Sequence, residues 1–194
     1  MIENLKLSPS RLEYLAPIIL DPKFITCISL ARISKSDSER YGAIFVKNGI
    51  VDTGGFNRCI AHSTFRLERK IRMGYANHAE VECVDFAQVR GIDTKDGDIY
   101  VAGYFPLTGR IFFKREYTCD RCVPYLERFQ IKNIFDPMPR GWIEKSLEVA
   151  ATEAEKYVGG KHGKRLKVTV GNIYLKQIED RLLGKNELGH LINN

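Results

Sequence analysis

Hydrophobic and polar positions divide the chain into helix-like and strand-like stretches, with no repeat and no low-complexity linker between them. The opening reads as helical. Ser8 or Ser10 caps a helix expected to run to about Leu20 and to stop before Asp21-Pro22. A second helix is expected from about Pro22 to Ile33, with Pro22 in its first turn. Tyr41–Lys47 and Gly49–Gly54 are β-rich runs around Asn48-Gly49, a strong signal for a hairpin. Arg58 to Tyr75 is basic and irregular and reads as a long loop. A helix is expected from about His78 to Val89, stopping at Gly91. Its polar Glu82, Asp85 and Gln88 recur every third position and its Ala79, Cys83 and Ala87 every fourth. Most of its circumference is apolar, which predicts a largely buried helix.

Asp98–Ala102 reads as a third strand. Phe105 to Phe113 contains the turn Leu107-Thr-Gly-Arg110, expected to join two short strands. A helix over about Asp120–Phe129 precedes a strand over Ile131–Phe135. After Asp136-Pro-Met-Pro139 an amphipathic helix is expected, with Ile143, Leu147, Ala150, Ala154 and Val158 on one side. Leu166, Val168 and Val170 alternate as a last strand. Strand, helix and strand in succession predict a right-handed parallel crossover. The pattern predicts an α/β fold, a mixed sheet of about five strands with helices on both faces. Residues 1–183 are expected to form one domain and 184–194 a loose tail.

Bulk properties narrow this picture. A chain of 194 residues suits one domain with an adequate core. Its 44% hydrophobic and 28% charged residues exclude gross disorder. No run of eighteen apolar residues occurs, so no membrane span is expected. Met1-Ile2-Glu3-Asn4 lacks the basic-then-apolar pattern of a signal peptide, which predicts a cytoplasmic protein. Cys27, Cys59, Cys83, Cys119 and Cys122 are odd in number, which argues against a disulfide framework. The net charge of +6 fits either a solvated surface or attraction to phosphates. Basic residues gather at Arg66, Arg69, Lys70 and Arg72, and again at Lys161, Lys164, Arg165 and Lys167. Charge alone does not separate free nucleotides from nucleic acids.

Two segments carry chemistry: His78-Ala79-Glu80 and Cys119-Asp120-Arg121-Cys122. Imidazole and thiolate are zinc ligands, and three protein ligands leave a fourth tetrahedral position for water, the mark of a catalytic site. A lone C-x-x-C is more often structural or redox, and a lone His-Ala-Glu means almost nothing. In this order, each opening an expected helix, the two match the H-x-E and C-x-x-C signature of zinc base deaminases.

Around these residues, from about Phe24 to Phe135, the chain resembles the deoxycytidylate deaminase branch of the cytidine deaminase superfamily. Gly42-Ala-Ile-Phe-Val-Lys-Asn-Gly49 is similar to the family's first hairpin. Thr53-Gly-Gly-Phe-Asn57 is similar to its glycine-aromatic-asparagine element, and Asp98–Ala102 to the strand before its cysteine motif. The resemblance implies the family's three-layer α/β/α fold, Zn2+ on His78, Cys119 and Cys122, and Glu80 as proton carrier. It further implies a sugar contact from Asn57, backbone contacts to the base from Ala79, and a homo-oligomer. Three departures stand out. Thr118 replaces the family's proline before the first cysteine, and Pro124 follows the second cysteine inside the expected helix, which must then start late or bend. The 19 residues from Tyr100 to Cys119 exceed the family's usual spacing, which marks about 105–117 as an inserted hairpin beside the site.

Three functions compete. The favoured one is hydrolytic deamination of a small-molecule cytosine nucleotide, dCMP to dUMP with release of ammonia, with Arg58, Arg66 or Arg69 gripping phosphate. The second, not favoured, is editing of a base within RNA or DNA, with Arg110, Lys114 and Arg115 on the backbone and Phe112, Phe113 and Tyr117 stacking on bases. The third is a non-catalytic zinc-stabilised binding module, which has no use for Glu80. Cys27 and Cys83 are expected in the core. Cys59 follows Arg58 and either lines the pocket or is an ordinary buried thiol. His62 is expected on a surface loop, and Trp142 as an anchor for the final helix.

Overall fold

The computed structural model describes residues 9–37, 39–59, 76–113, 119 and 122–157. Helices α1 (Pro9–Ile19) and α2 (Pro22–Ile33) begin the described chain. Asp21 caps α2: its carboxylate accepts hydrogen bonds from the Lys23 N–H at 2.7 Å and the Phe24 N–H at 3.3 Å. Pro22 takes the first helical position, where an N–H has no partner to lose. Strands β1 (Arg40–Lys47) and β2 (Ile50–Phe56) form the expected hairpin. Asn48 and Gly49 have φ of 53° and 79°, the left-handed pair that a tight two-residue hairpin turn needs.

The stretch read as an irregular loop from Arg58 starts and ends as a ribbon. β3 (Arg58–Cys59) pairs antiparallel with β4 (Ala76–Asn77), and residues 60–75 lie outside the described part. Helix α3 (Ala79–Val89), strand β5 (Asp98–Tyr104), helix α4 (Cys122–Arg128), strands β6 (Asn133–Met138) and β7 (Gly141–Ser146), and helix α5 (Leu147–Tyr157) follow.

The five-stranded sheet has the order β2-β1-β5-β6-β7, antiparallel throughout except for the parallel pair β5–β6. Side chains alternate across it. Ala43, Phe45, Ile99 and Val101 face the core shared with α3, α4 and α5. Ile44, Val46, Tyr100 and Ala102 face the core shared with α1 and α2. The molecule is therefore an α/β/α sandwich, as expected. Two glycines let helices sit directly on strands. A Cβ on Gly42 would stand 2.0 Å from the Cys27 carbonyl of α2, and one on Gly55 would stand 2.4 Å from the Cys83 backbone nitrogen of α3. Among the described residues no single helix is long and apolar enough to cross a membrane.

The fifth strand differs from the expected one. Gly141–Ser146, read as the start of an amphipathic helix, is β7, paired along its whole length with β6. Ile143 matched the helical spacing of Leu147 and Ala150, but a neighbouring strand offered a ladder of backbone bonds, and tertiary pairing outweighed local pattern. The helix begins one residue after Ser146, whose hydroxyl caps it by accepting from the Val149 N–H at 3.2 Å. Pro137, beyond the expected end of the strand at Phe135, lies within β6. The turn over 106–108 is present, but the chain returns to β5 through a single bridge, Tyr104 to Ile111, in place of two short strands. The strand expected at Leu166–Val170, the tail, and both basic clusters lie outside the described residues.

Candidate metal centre

The first turns of α3 and α4 lie against one another beside the end of β5, in the core that buries Ala79, Val81 and Cys122. His78 is the N-cap of α3, with extended backbone (φ −83°, ψ 152°) and no side-chain capping bond. The imidazole is therefore not spent on the helix. Cys122 opens α4, and the Cys119 carbonyl accepts from the N–H groups of Cys122 (2.9 Å) and Val123 (3.2 Å). That turn folds Cys119 back over the helix end. The late start also accommodates Pro124: it sits in the first turn of α4, where its missing N–H costs no intrahelical bond.

His78 Nδ1 lies 3.3 Å from Cys122 Sγ. Within the triad His78, Cys119 and Cys122, one ligand atom from each lies within 4.8 Å of the others. Bonds of about 2.3 Å to sulfur and 2.0 Å to nitrogen place tetrahedral ligands about 3.5–3.8 Å apart. Among the described residues the donor set and its spacing thus fit a zinc ion with one open position. Neither cysteine is in a disulfide. Cys122 is fully buried, while His78 and Cys119 are partly exposed, so the group is reachable from one side. Glu80, in the same first turn as His78, is 2% exposed.

The remaining expected site residues are placed as follows. Ala79 is fully buried, its carbonyl pressed toward Gly55 of β2. Asn57 is buried, and its side chain joins neighbouring backbone: Oδ1 accepts from the Tyr41 N–H at 2.7 Å and Nδ2 donates to the Glu39 carbonyl at 2.8 Å. Ser34 Oγ donates to the Asn57 carbonyl at 2.6 Å. Arg58 turns toward α3, where its guanidinium pairs with the buried Glu82 and covers the Phe56 ring at 4.2 Å. Glu82 also accepts the Phe56 N–H at 2.9 Å. Burial raises the Glu82 pKa, and that N–H and Arg58 pull it back.

A second polar contact joins the two helices: the Tyr125 hydroxyl of α4 donates to the Asp85 carboxylate of α3. Burial pushes Asp85 up to about 6, against the lowering effect of that bond. The polar row Glu82, Asp85, Gln88 is thus buried for its first two members and exposed only at Gln88. Sequence reasoning noted the row but not its partners, Arg58 and Tyr125, which lie on other elements. Cys83 and Cys27 are fully buried; burial pushes Cys83 up to about 12 and Cys27 well above the ordinary thiol value, as fits core residues. Trp142 packs at 90° on Tyr100, toward the α1 and α2 core and away from α3 and α4. Phe112 stacks on Tyr41 at 5.2 Å and meets Phe105 at 4.3 Å. His62, Lys114, Arg115, Tyr117 and the Cys59 side chain lie outside the described residues.

No protein-family model matches the chain, and no curated protein matches it. Solved structures do. Cytidine deaminase from Burkholderia pseudomallei is 17% identical over 73% of this chain and 93% of its own, with a TM-score of 0.43. The dCMP deaminase of cyanophage S-TIM5 is 14% identical over 66% of this chain and 82% of its own, with a TM-score of 0.36. A diaminohydroxyphosphoribosylaminopyrimidine deaminase/5-amino-6-(5-phosphoribosylamino)uracil reductase from Thermotoga maritima is 18% identical over 64% of this chain, at a TM-score of 0.36, and the match spans only 29% of its length. Each of these three solved structures is described as a deaminase.

Proposed function

We propose that the chain is a zinc-dependent hydrolytic deaminase that converts a cytosine nucleotide, dCMP, to its uracil counterpart. The observation that carries this reading is the convergence of His78, Cys119 and Cys122, from separate elements, beside the helix turn that buries Glu80. A purely structural zinc site closes its fourth position with another protein ligand; among the described residues this group offers three. The choice of dCMP follows from the motif resemblance.

In this reading His78 Nδ1 and the two thiolates hold the metal. A bound zinc ion supplies a Lewis acid that makes a water nucleophilic near neutral pH. Glu80 would take a proton from the attacking water and deliver it to the ring nitrogen of the base, as the water oxygen adds to the carbon bearing the amine. Glu80 would then move the proton of the added hydroxyl to the amine, which leaves as ammonia as the carbonyl forms. Low exposure of Glu80 favours proton exchange with the substrate over exchange with bulk solvent. Ala79 lies between ligand and proton carrier in the chain, and the motif resemblance gives its backbone the contact to the base. Arg58, held by Glu82, is a weaker candidate for the phosphate than it is from the sequence alone.

The test is ammonia release by zinc-loaded protein from dCMP, deoxycytidine, cytidine and adenine nucleotides, and from a single-stranded oligonucleotide. Turnover of dCMP above deoxycytidine is expected. Turnover of the oligonucleotide alone would replace the substrate class, and zinc loading without turnover of any compound would overturn the enzyme reading.

A further inference from the structure

Asp85 and Tyr125 join the two helices that supply the candidate ligands. On α3, Asp85 lies seven residues beyond His78, two turns along nearly the same line of the helix. On α4, Tyr125 lies three residues beyond Cys122, within one turn. The bond from Tyr125 Oη to Asp85 Oδ1 therefore spans the interface directly behind the gap that His78 and Cys122 close at its mouth.

This contact is a costly one. Asp85 is 8% exposed and Tyr125 6%, among the apolar side chains of Val81, Val84, Val123 and Leu126. Asp85 Oδ2 has no hydrogen-bond partner among the described residues. A buried carboxylate with one oxygen unmet costs stability, and an apolar side chain of similar size would cost less. What the pair provides in return is geometry. A hydrogen bond fixes distance and direction between two helices, whereas apolar packing tolerates sliding and rotation. Tyr125 is itself held by its ring, 4.8 Å from Phe129.

We infer that Asp85 and Tyr125 are positioning residues for the metal: their hydrogen bond sets the spacing and rotation of α3 against α4, and so holds His78 at ligand distance from Cys119 and Cys122. The inference rests on reading those three residues as a metal site.

The experiment uses the full chain with Tyr125→Phe, Asp85→Leu and Asp85→Asn. Zn2+ affinity is measured by chelator competition and ligand geometry by the Co2+ absorption spectrum. Thermal unfolding of the metal-free proteins is followed in parallel. Tyr125→Phe and Asp85→Leu should weaken Zn2+ binding about 10- to 100-fold and alter the Co2+ bands. Asp85→Asn keeps an acceptor for Tyr125 and should bind as the wild type does. Asp85→Leu should keep or raise metal-free stability while losing affinity, a separation that a merely structural role would not give. Wild-type affinity in both Tyr125→Phe and Asp85→Leu would overturn the inference, as would affinity that falls only in step with metal-free stability. Failure of the wild type itself to bind either ion would instead overturn the metal-site reading, and the inference with it.

Discussion

Gly55 of β2 lies against Cys83 of α3 so closely that a Cβ would stand 2.4 Å from the Cys83 nitrogen and 2.8 Å from the Ala79 carbonyl. Both obstacles are backbone, so neither can rotate away. The glycine sets how deeply α3 seats on the sheet and hence where His78 begins it. Gly55→Ala should destabilise the protein by about 1–3 kcal/mol, as overpacking of a tight contact does. Urea unfolding checks the loss, and Zn2+ uptake should fall with it because the helix carrying His78 must shift.

Glu80 is assigned the protons and not the metal. Glu80→Ala should retain full zinc stoichiometry and lose about 10²- to 10⁴-fold in ammonia release. Metal analysis and turnover on the same sample check both halves. Wild-type turnover in the variant would remove Glu80 from the mechanism.

The Arg58–Glu82 pair gives a pH-dependent prediction. Burial raises the folded-state pKa of Glu82, so the native chain holds that proton to a higher pH than the unfolded chain does. Its contribution to stability is then present below the unfolded value of 4.5 and is lost as pH rises through the folded value. Arg58→Ala removes one of the influences that hold the folded value down, so the loss should extend to higher pH. The variant should cost about 2–3 kcal/mol near pH 8 and less near pH 5, below the range for a fully buried pair because Arg58 keeps 19% exposure. Urea titrations at the two pH values decide it, and Arg58→Ala combined with Glu82→Gln should recover part of the loss.

Phe112 tests whether the inserted segment belongs to the pocket. It stacks on Tyr41, whose N–H is held by the Asn57 side chain. Phe112→Ala loosens that chain of contacts, and KM for the nucleotide should rise by up to about tenfold with a smaller change in kcat. Unchanged KM and kcat would place the insertion outside substrate recognition.

Much of this arrangement was legible in the residues, for local physical reasons. Asp21-Pro22 and Asn48-Gly49 announce a helix start and a hairpin turn through their own backbone preferences, and both stand where expected. His78, Cys119 and Cys122 were legible together through their likeness to a known H-x-E and C-x-x-C signature, which spacing alone would not have supplied. The ambiguous parts depended on partners remote in sequence. Ile143 fits a helical face until β6 offers it a strand, and Ser146, not the apolar spacing, marks where α5 begins. Glu82 and Asp85 read as a polar stripe because Arg58 and Tyr125, which make their burial tolerable, come from β3 and α4. The sugar contact implied for Asn57 rested on family likeness, whereas the fold also uses that amide to fasten β1.

The route from β5 to α4 is pinned at both ends. Tyr104 bridges to Ile111 where the chain leaves the sheet, and the Cys119 carbonyl ties down the start of α4 where it re-enters. β6 then lies parallel to β5, which fixes the far side of the crossover. Changes of length between those two anchors should therefore leave Zn2+ affinity close to that of the wild type, which chelator competition on insertion variants would check.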